Sequence, residues 1–210
     1  MATVEATAEA REAPTLVRRG GWSKADIHIA PYGATQAIHK DFSAKAWPVR
    51  LAGRVQVASE VRSLQRLRGE SGIPACHGPV GRLGLLMEHI DGERITRWCR
   101  LHPGGAASMF EKLAGLVGRM HARGVYHLDL RKRDNILVTA AGQPCVIDFN
   151  ASIRLTPGSL AARCLAPILR RVDAGAVLKW KARLAPGLLS ESERRRYRRE
   201  SLLRRLWIFN

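Results

Sequence analysis

Two acidic residues flank a predicted β-hairpin in the middle of the chain, and this arrangement constrains the fold more than any other feature of the sequence. The strings HLDLRKRDNILV and VIDFN carry the two acids, Asp129 and Asp148. Short apolar runs joined by AAGQ predict two strands, at 135–139 and 144–149. The hairpin therefore places one carboxylate just before its first strand and the other near the end of its second.

The hydrophobic period changes along the chain. Residues 15–42 alternate as strands do, and the periods of 54–68 and of Met109–His121 are helical. The predicted strands before the hairpin cover Thr15–Arg18, Ala25–Ala30, Gln36–Phe42 and Leu83–Ile90. Because strands come first and helices later, we expect an α+β chain of two lobes. The predicted organisation is a disordered lead-in (1–13), an N-lobe (14–90) and a C-lobe (91–210).

Composition limits the class of protein. The chain has 210 residues with a net charge of +17, which favours anionic partners but does not choose among them. It has no apolar run of 18 residues, so we expect no transmembrane helix, and its N-terminus lacks the features of a secretory signal. The four cysteines form no CxxC pair. Structural thiols in a reducing cytoplasm are the expectation.

The central motifs resemble the catalytic core of the protein-kinase-like superfamily. The likeness rests on HARGVYHLDLRKRDNILV, on VIDFN, on Lys40 in AIHKDF and on Glu60 in SEVRSLQRL, over about residues 15–155. It looks nearest to the small bacterial lipopolysaccharide-core (Kdo/heptose) kinases and to RIO-type kinases. The resemblance implies a protein-kinase-like fold with a small antiparallel-sheet N-lobe and a reduced, mostly helical C-lobe. It also implies ATP and Mg²⁺ as cofactors.

The resemblance assigns roles in the central loop. Asp129 would orient an acceptor hydroxyl and accept its proton, and His127 would support the backbone near the metal-binding acid. Arg131 stands where related enzymes place a cation against the transferring phosphate. A solvated arginine is the equally weighted alternative for Arg131.

The implied metal ligands are Asn135 and Asp148. Asn135 lies six residues after Asp129, one more than usual, and the residue at the usual spacing is Asp134. We favour Asn135 because the strand that follows fixes its place, while Asp134 stays the alternative. Oxygen ligands of this kind suit Mg²⁺. Asn150 replaces the usual glycine after Asp148, and asparagine tolerates left-handed backbone well enough to preserve the turn.

The implied nucleotide contacts lie in the N-lobe. Lys40 would bind the α- and β-phosphates and pair with Glu60, which follows twenty residues later in a helix. Gly20 and Gly21 could bring backbone donors to the phosphates, although GxGxxG spacing is absent. The string MEHI resembles the hinge between lobes, where backbone around Glu88 and Ile90 would bind adenine. An ordinary buried strand end is the alternative for that segment.

The predicted function is an ATP-dependent kinase that phosphorylates a hydroxyl group. Only 62 residues follow Asp148, which argues for a compact acceptor site. The acceptor would be a lipopolysaccharide-core sugar or a protein serine or threonine. The alternative is a pseudokinase or basic binding module, motivated by the long loop, the Asn150 replacement and the poor glycine loop.

The basic C-terminal tail adds a possible surface contact. Arginines there are interleaved with aromatic residues, namely Trp180, Tyr197, Trp207 and Phe209. A solvated helix face is one interpretation of this pattern. Peripheral contact with an anionic membrane, at the inner membrane face, is another. Nucleic-acid binding is a third and rests on charge alone.

Overall fold

The computed structural model describes residues 15–206, which form two compact units. The sheet unit comprises the described residues up to Gln65 together with Pro74–His89, and the helical unit comprises Arg66–Ile73 and the described residues from Ile90 onward. The predicted lead-in at 1–13 and the aromatic residues Trp207 and Phe209 lie outside the described residues.

A five-stranded antiparallel sheet forms most of the sheet unit, in the order β1-β2-β3-β5-β4. Its strands are β1 (Thr15–Arg18), β2 (Asp26–Tyr32), β3 (Thr35–Asp41), β4 (Cys76–Val80) and β5 (Gly84–Glu88). Strands β2 and β3 form a tight hairpin around Gly33, which has a φ of 58°. Such a left-handed turn position favours glycine because it has no Cβ.

Helix α1 (Trp47–Arg66) belongs mainly to the sheet unit and begins seven residues before the predicted start. Pro48 is tolerated in its first turn because the amide there needs no helical partner. At Gly53 the helix comes so close to Phe42 that an added Cβ would lie 2.6 Å from its ring. The periodicity did not predict this first part of the helix, because its apolar residues are mostly exposed, with Trp47 at 75% and Leu51 at 57%, and form no buried stripe.

The helical unit contains four α-helices among its described residues, together with two small antiparallel sheets. The helices are α2 (Ile95–Leu101), α3 (Ala106–Ala122), α4 (Leu160–Leu184) and α5 (Glu191–Leu206). The strands are β6 (Glu93–Arg94), β7 (Val125–Tyr126), β8 (Ile136–Val138), β9 (Pro144–Val146) and β10 (Ile153–Arg154). β6, β8 and β9 form one sheet, and β7 pairs with β10.

Helix ends follow local sequence signals in two places. Gly124 adopts a φ of 69° directly after α3, where an added Cβ would lie 2.1 Å from the Leu155 carbonyl oxygen. Before α5, the Ser190 Oγ accepts from the Glu193 amide, and Glu193 accepts from the Ser190 amide. This reciprocal pair is a capping box, which a serine followed three residues later by a glutamate typically forms. Together, the antiparallel sheets and the α-helices confirm the expected α+β class.

The core of the helical unit lies between α3, the β8–β9 hairpin and the second half of α4. Its fully buried members include Met109, Leu113, Leu116, Met120, Ile136 and Phe149. The sequence patterns did not predict the short helix α2 or the two-residue strands β6, β7 and β10. Such short segments hold too few residues to show a period.

Candidate functional site

The loop between β7 and β8 carries most of the predicted site residues. It runs from His127 through a 3-10 turn at Arg133–Asn135 into β8. His127 is fully buried and Asn135 is 2% exposed, so the two ends of the loop are fixed in the core. Asp129 lies between them with its side chain 24% exposed. The loop therefore presents one carboxylate to solvent from a rigid base.

His127 holds the loop against the segment that carries Asp148. Its Nδ1 accepts from the Asp129 amide at 3.3 Å, so its Nε2 carries the proton and donates to the Ile147 carbonyl at 3.0 Å. Burial lowers the pKa of His127, while the Ile147 contact and three nearby aspartates oppose that effect. The imidazole is consequently neutral, which fits a supporting role without proton transfer.

A buried aspartate on α4, Asp173, supports the loop from below. Its carboxylate accepts from the backbone amides of His127 (2.9 Å) and Leu128 (2.8 Å) and pairs with His121 at 2.9 Å. Leu128 has a φ of 65°, a conformation that costs a non-glycine residue about 1–3 kcal/mol. Asp173 therefore helps to hold a strained backbone beside Asp129. No sequence pattern predicted this role, because nothing local marks an aspartate in a basic helix as buried.

Two further residues of α4 fix the same loop. Trp180 is 4% exposed, and its Nε1 donates to the Leu130 carbonyl at 2.8 Å. Lys179 donates to the Arg131 carbonyl at 2.9 Å. The idea that Trp180 is a surface anchor of the basic tail is wrong, because packing against the loop buries its ring.

The Asp129 carboxylate is held by two neighbours. Asn135 donates from Nδ2 to the Asp129 Oδ2 at 3.2 Å and to its backbone carbonyl at 3.0 Å. Lys132 lies 2.5 Å from the same Oδ2. The hydrogen bond with Asp129 raises the pKa of Lys132. No sequence pattern singled out Lys132, since one cation among the three of the string RKR carries no distinct signal.

Asp148 lies at the end of the hairpin in a left-handed conformation with a φ of 67°. Asn150 donates from Nδ2 to the Asp148 Oδ1 at 2.6 Å. The left-handed residue is thus Asp148 and not Asn150, which lies in a 3-10 turn (Phe149–Ala151). The expectation that Asn150 preserves the turn by its own left-handed backbone is wrong: it does so through its side chain.

Asn135 and the Asp148 segment are joined by backbone. The Ile147 amide donates to the Asn135 carbonyl at 3.0 Å, and the Asn135 Nδ2 is already bonded to Asp129. The amide oxygen of Asn135 is the atom left to bind a cation. By contrast, Asp134 pairs with Arg94 at 2.7 Å and is 48% exposed.

This donor set fits magnesium better than a metal that needs many protein ligands. Among residues 15–206 no group of three or more His, Cys, Asp or Glu side chains could hold a metal ion. Mg²⁺ usually takes only one or two carboxylates and completes its shell with water and phosphate oxygens. The carboxylate of Asp148 and the amide of Asn135 fit this coordination preference.

In the sheet unit, Lys40 and Glu60 form the ion pair that the sequence predicts. The Lys40 Nζ lies 2.7 Å from the Glu60 Oε1, and the two side chains are 12% and 2% exposed. Lys40 comes from β3 and Glu60 from α1, so the pair also joins the sheet to its helix. Their contact with a nucleotide stays a prediction.

The remaining predicted nucleotide contacts lie near turns of the sheet unit. The Gly20 amide donates to the Asp26 carboxylate at 2.8 Å, and Lys45 binds the same carboxylate at 2.7 Å. The hydrogen bond from Lys45 lowers the pKa of Asp26. An added Cβ at Gly21 would meet nothing within 4 Å. Whether either glycine binds phosphate stays a prediction, although the Gly20 amide already has a protein partner.

The segment predicted as the hinge includes the point where the chain passes from one unit to the other. Glu88 ends β5, and its amide and carboxylate both bond to Ala75 of the same unit. Ile90 is the first residue of the next segment of the helical unit. The adenine contact predicted for this segment stays a prediction.

Solved structures show which fold this is. The crystal structure of the Rio2 kinase–ADP/Mg²⁺–phosphoaspartate complex from Chaetomium thermophilum matches with a TM-score of 0.63 and 18% identity. The match covers 84% of this chain and 57% of that one. A second Rio2 structure from the same organism matches with a TM-score of 0.61. The predicted protein-kinase-like fold is confirmed.

Related sequences come from two kinds of kinase. The 3-deoxy-D-manno-octulosonic acid kinase of Xylella fastidiosa (strain 9a5c) is 30% identical over 102 residues, which are 47% of this chain and 40% of that protein. CBL-interacting protein kinase 25 of Oryza sativa subsp. japonica is 31% identical over 159 residues, which are 70% of this chain and 30% of the plant protein. The chain thus spans less than half the length of either relative.

A family model shows to which kinase family this chain belongs. The model of the lipopolysaccharide kinase (Kdo/WaaP) family matches residues 16–179. That range includes β2, the Lys40–Glu60 pair, the loop with Asp129, and Asp173 on α4. The resemblance inferred from the sequence motifs is therefore confirmed: this chain belongs to the lipopolysaccharide kinase (Kdo/WaaP) family.

Proposed function

We propose that this chain is an ATP-dependent kinase that transfers the γ-phosphate of ATP to a hydroxyl group of a lipopolysaccharide-core sugar. The observation that carries the proposal is the hydrogen-bonded loop in which Asn135 and Lys132 hold the Asp129 carboxylate, with His127 joining it to the Asp148 segment. Family membership supports the same reaction class and the sugar acceptor.

The reaction follows from the roles of the chain's own side chains. The acceptor hydroxyl oxygen bonds to the γ-phosphorus while the bond from that phosphorus to the β–γ bridging oxygen breaks, which releases ADP. Asp129 orients the hydroxyl and takes its proton. Lys40 neutralises charge on the α- and β-phosphates, and Lys132 or Arg131 does so near the transferring group.

Asp148 and Asn135 are the proposed magnesium ligands. A bound Mg²⁺ would neutralise charge on the phosphate oxygens. Asn150 keeps the Asp148 carboxylate in place through its 2.6 Å hydrogen bond. Asn135 has a second task, because its amide group also holds Asp129. We assign the metal to Asn135 rather than Asp134, whose carboxylate is already paired with Arg94.

The activity is tested by ADP release from Mg-ATP with the wild type, Asp129→Asn and Asp148→Asn. Loss of a general base costs about 10²–10⁴ in rate, so we expect at least a hundredfold loss with Asp129→Asn. The exposed α3 variant Glu111→Gln removes the same charge away from the loop and serves as the control. Measurable but equal rates in all four proteins would remove Asp129 and Asp148 from the mechanism, whereas no ADP release by the wild type would favour the pseudokinase or binding-module alternative.

A protein serine or threonine is the second candidate acceptor, favoured by the match to plant protein kinases. Labelled ATP offered to a lysate that retains its lipids separates the two candidates. Label in glycolipid supports the sugar acceptor, whereas label in protein alone overturns it.

We also propose that the first half of α4 contacts an anionic membrane surface. Leu165, Ile168 and Val172 recur on one helical face and are 46%, 59% and 38% exposed. Such an exposed apolar stripe marks an interaction surface, and the net charge of +17 favours an anionic one. No helix within residues 15–206 is long and apolar enough to span a bilayer.

Vesicle sedimentation tests this contact. We expect binding to vesicles that contain phosphatidylglycerol, weaker binding to phosphatidylcholine vesicles, and loss of binding in Leu165→Glu/Ile168→Glu. The control Arg194→Glu/Arg195→Glu changes more charge on exposed α5 but leaves the stripe intact. Equal binding by both variants would contradict the stripe's role, and self-association removed by the stripe variant would indicate a second copy as its partner.

A further inference from the structure

Three arginines line one cavity beside the loop that carries Asp129. The cavity has a volume of about 520 Å³ and lies within the helical unit. Arg100 comes from α2, Arg133 from the loop's 3-10 turn and Arg183 from α4. Volumes of about 300–1,000 Å³ are typical of sites for small ligands. Three distant parts of the sequence thus bring arginine side chains to one ligand-sized cavity.

Two of these arginines lack the acidic partners that neighbouring arginines have, and the third shares its partner. Arg94 and Arg97, on the adjoining segment, pair with Asp134 and Glu93 at 2.7 and 3.2 Å. Neither Arg100 nor Arg183 forms an ion pair with any described residue. Arg133 lies 3.8 Å from Asp134, a carboxylate that Arg94 already binds more closely.

The other described residues that line the cavity add no negative charge. They are Thr96, Cys99, Trp180 and Leu184. Burial raises the pKa of the Cys99 thiol to about 11, so the thiol is neutral at physiological pH. The cavity is therefore lined by three arginines, of which Arg100 and Arg183 have no described acidic partner and Arg133 shares one with Arg94.

Helix position explains part of this pattern but not all of it. Arg100 and Arg183 each lie in the last turn of a helix, where a cation is favourable without any ligand. Arg133 has no such reason to be there, and helix ends do not require the three groups to share a cavity. Planar guanidinium groups bind phosphate and carboxylate with paired hydrogen bonds.

The cavity also adjoins the proposed catalytic loop directly. Arg133 lies in the 3-10 turn that positions Asn135, and Trp180 donates to the Leu130 carbonyl next to Asp129. We propose that the pocket formed by Arg100, Arg133 and Arg183 binds a phosphate or carboxylate group that the acceptor already carries. The assignment of that anion to the acceptor rests on the proposed kinase function, whereas anion binding itself does not.

Titration with inorganic phosphate and with acetate, followed by calorimetry without nucleotide, tests the pocket. We expect Arg100→Gln/Arg183→Gln to weaken phosphate binding at least about tenfold, because each lost guanidinium removes charge-assisted hydrogen bonds. The matched control is Arg97→Gln/Arg171→Gln, which removes two exposed arginines from the same helices outside the cavity. Binding of acetate as well would assign the pocket to carboxylates in addition to phosphates.

Two results would overturn the proposed anion binding in this pocket. One is equal phosphate affinity in the pocket and control variants, or no binding by the wild type. The other is loss of phosphate binding in Lys40→Met, which would assign the anion to the predicted nucleotide site. Melting temperatures check that the variants are folded. If the pocket double variant is not, Arg100→Gln and Arg183→Gln are each compared with the corresponding single control.

The acceptor assignment has its own readout. In phosphate transfer, the pocket variant should raise the KM for the acceptor about tenfold while the KM for ATP stays within about twofold. An unchanged acceptor KM would remove the acceptor from the pocket while leaving the kinase intact. A protein that transfers no phosphate but still binds phosphate through Arg100 and Arg183 would reject the proposed function and retain the pocket.

Discussion

The loop that carries Asp129 is built differently on its two sides. On the buried side, Asp173 has no exposed surface and accepts from two backbone amides, and Trp180 caps the Leu130 carbonyl. On the open side, Asp129 is 24% exposed, and its ion-pair partner Lys132 is 60% exposed. The contrast indicates that the buried side fixes geometry, whereas the open side keeps charged groups free to exchange partners.

The largest expected effect is a difference in unfolding free energy between a variant of the buried side and a variant of the open side. Asp173→Ala leaves two backbone amides and His121 without their carboxylate, so we expect the free energy of unfolding to fall by about 3–5 kcal/mol. Asp129→Ala should change it by less than about 1 kcal/mol, because its ion pair is partly solvated. Urea unfolding of both variants measures the difference. Similar losses in the two would remove the distinction between the sides.

A smaller effect is expected for the hydrogen bond from Trp180. Trp180→Phe retains an aromatic ring but leaves the buried Leu130 carbonyl unpaired, which costs about 1–3 kcal/mol of unfolding free energy. The control is Trp47→Phe, since Trp47 is 75% exposed and surface substitutions usually stay within about 0.5 kcal/mol. Chemical denaturation followed by circular dichroism compares the two. If the Trp180→Phe variant were as stable as its control, the hydrogen bond to the Leu130 carbonyl would not stabilise the fold.

The pH dependence of stability tests the neutral state of His127. Desolvation lowers its pKa below the unfolded value near 6.5, so the unfolded chain binds more protons between the two values. The stabilisation from neutral His127 is therefore present above about pH 6.5 and is lost as the pH falls toward the folded pKa. Urea unfolding at pH 7.5, 6.5 and 5.5 should show a shallower decline in His127→Gln than in the wild type. His39 and His77, whose pKa values burial also lowers, stay unchanged in that comparison, so equal slopes would count against His127.

The smallest expected effect concerns the contact between α4 and α5, away from the loop. Lys181 donates to both carboxylate oxygens of Glu193 at 2.9 Å, and the side chains are 22% and 34% exposed. Lys181→Gln should lower the unfolding free energy by only about 0.2–1 kcal/mol, and high salt should shrink the difference. Arg195→Gln, which breaks a more exposed pair with Glu191, is the control. A loss comparable to that of Asp173→Ala would mean that α5 supports the loop.

Sequence patterns predicted the elements whose signals are local. The strands β1 to β3 and β5 and the helix α3 each depend on residues within a few positions of one another. The motif residues Asp129 and Asp148 were found for the same reason, as each stands beside a recognisable strand. The start of α1 was misplaced because its apolar residues are mostly exposed, and α2 was missed because seven residues are too few to show a period.

What the sequence alone determined is the family core: the two acids around a hairpin, the lysine and glutamate twenty residues apart, and the excess of positive charge. Only the tertiary structure decided that Asp173 supports the loop, that Trp180 is buried, and that Arg100, Arg133 and Arg183 line one cavity. These relationships join residues that are tens of positions apart. Burial and pairing of charges depend on how α2, the loop and α4 pack, and no local period in the chain records that packing.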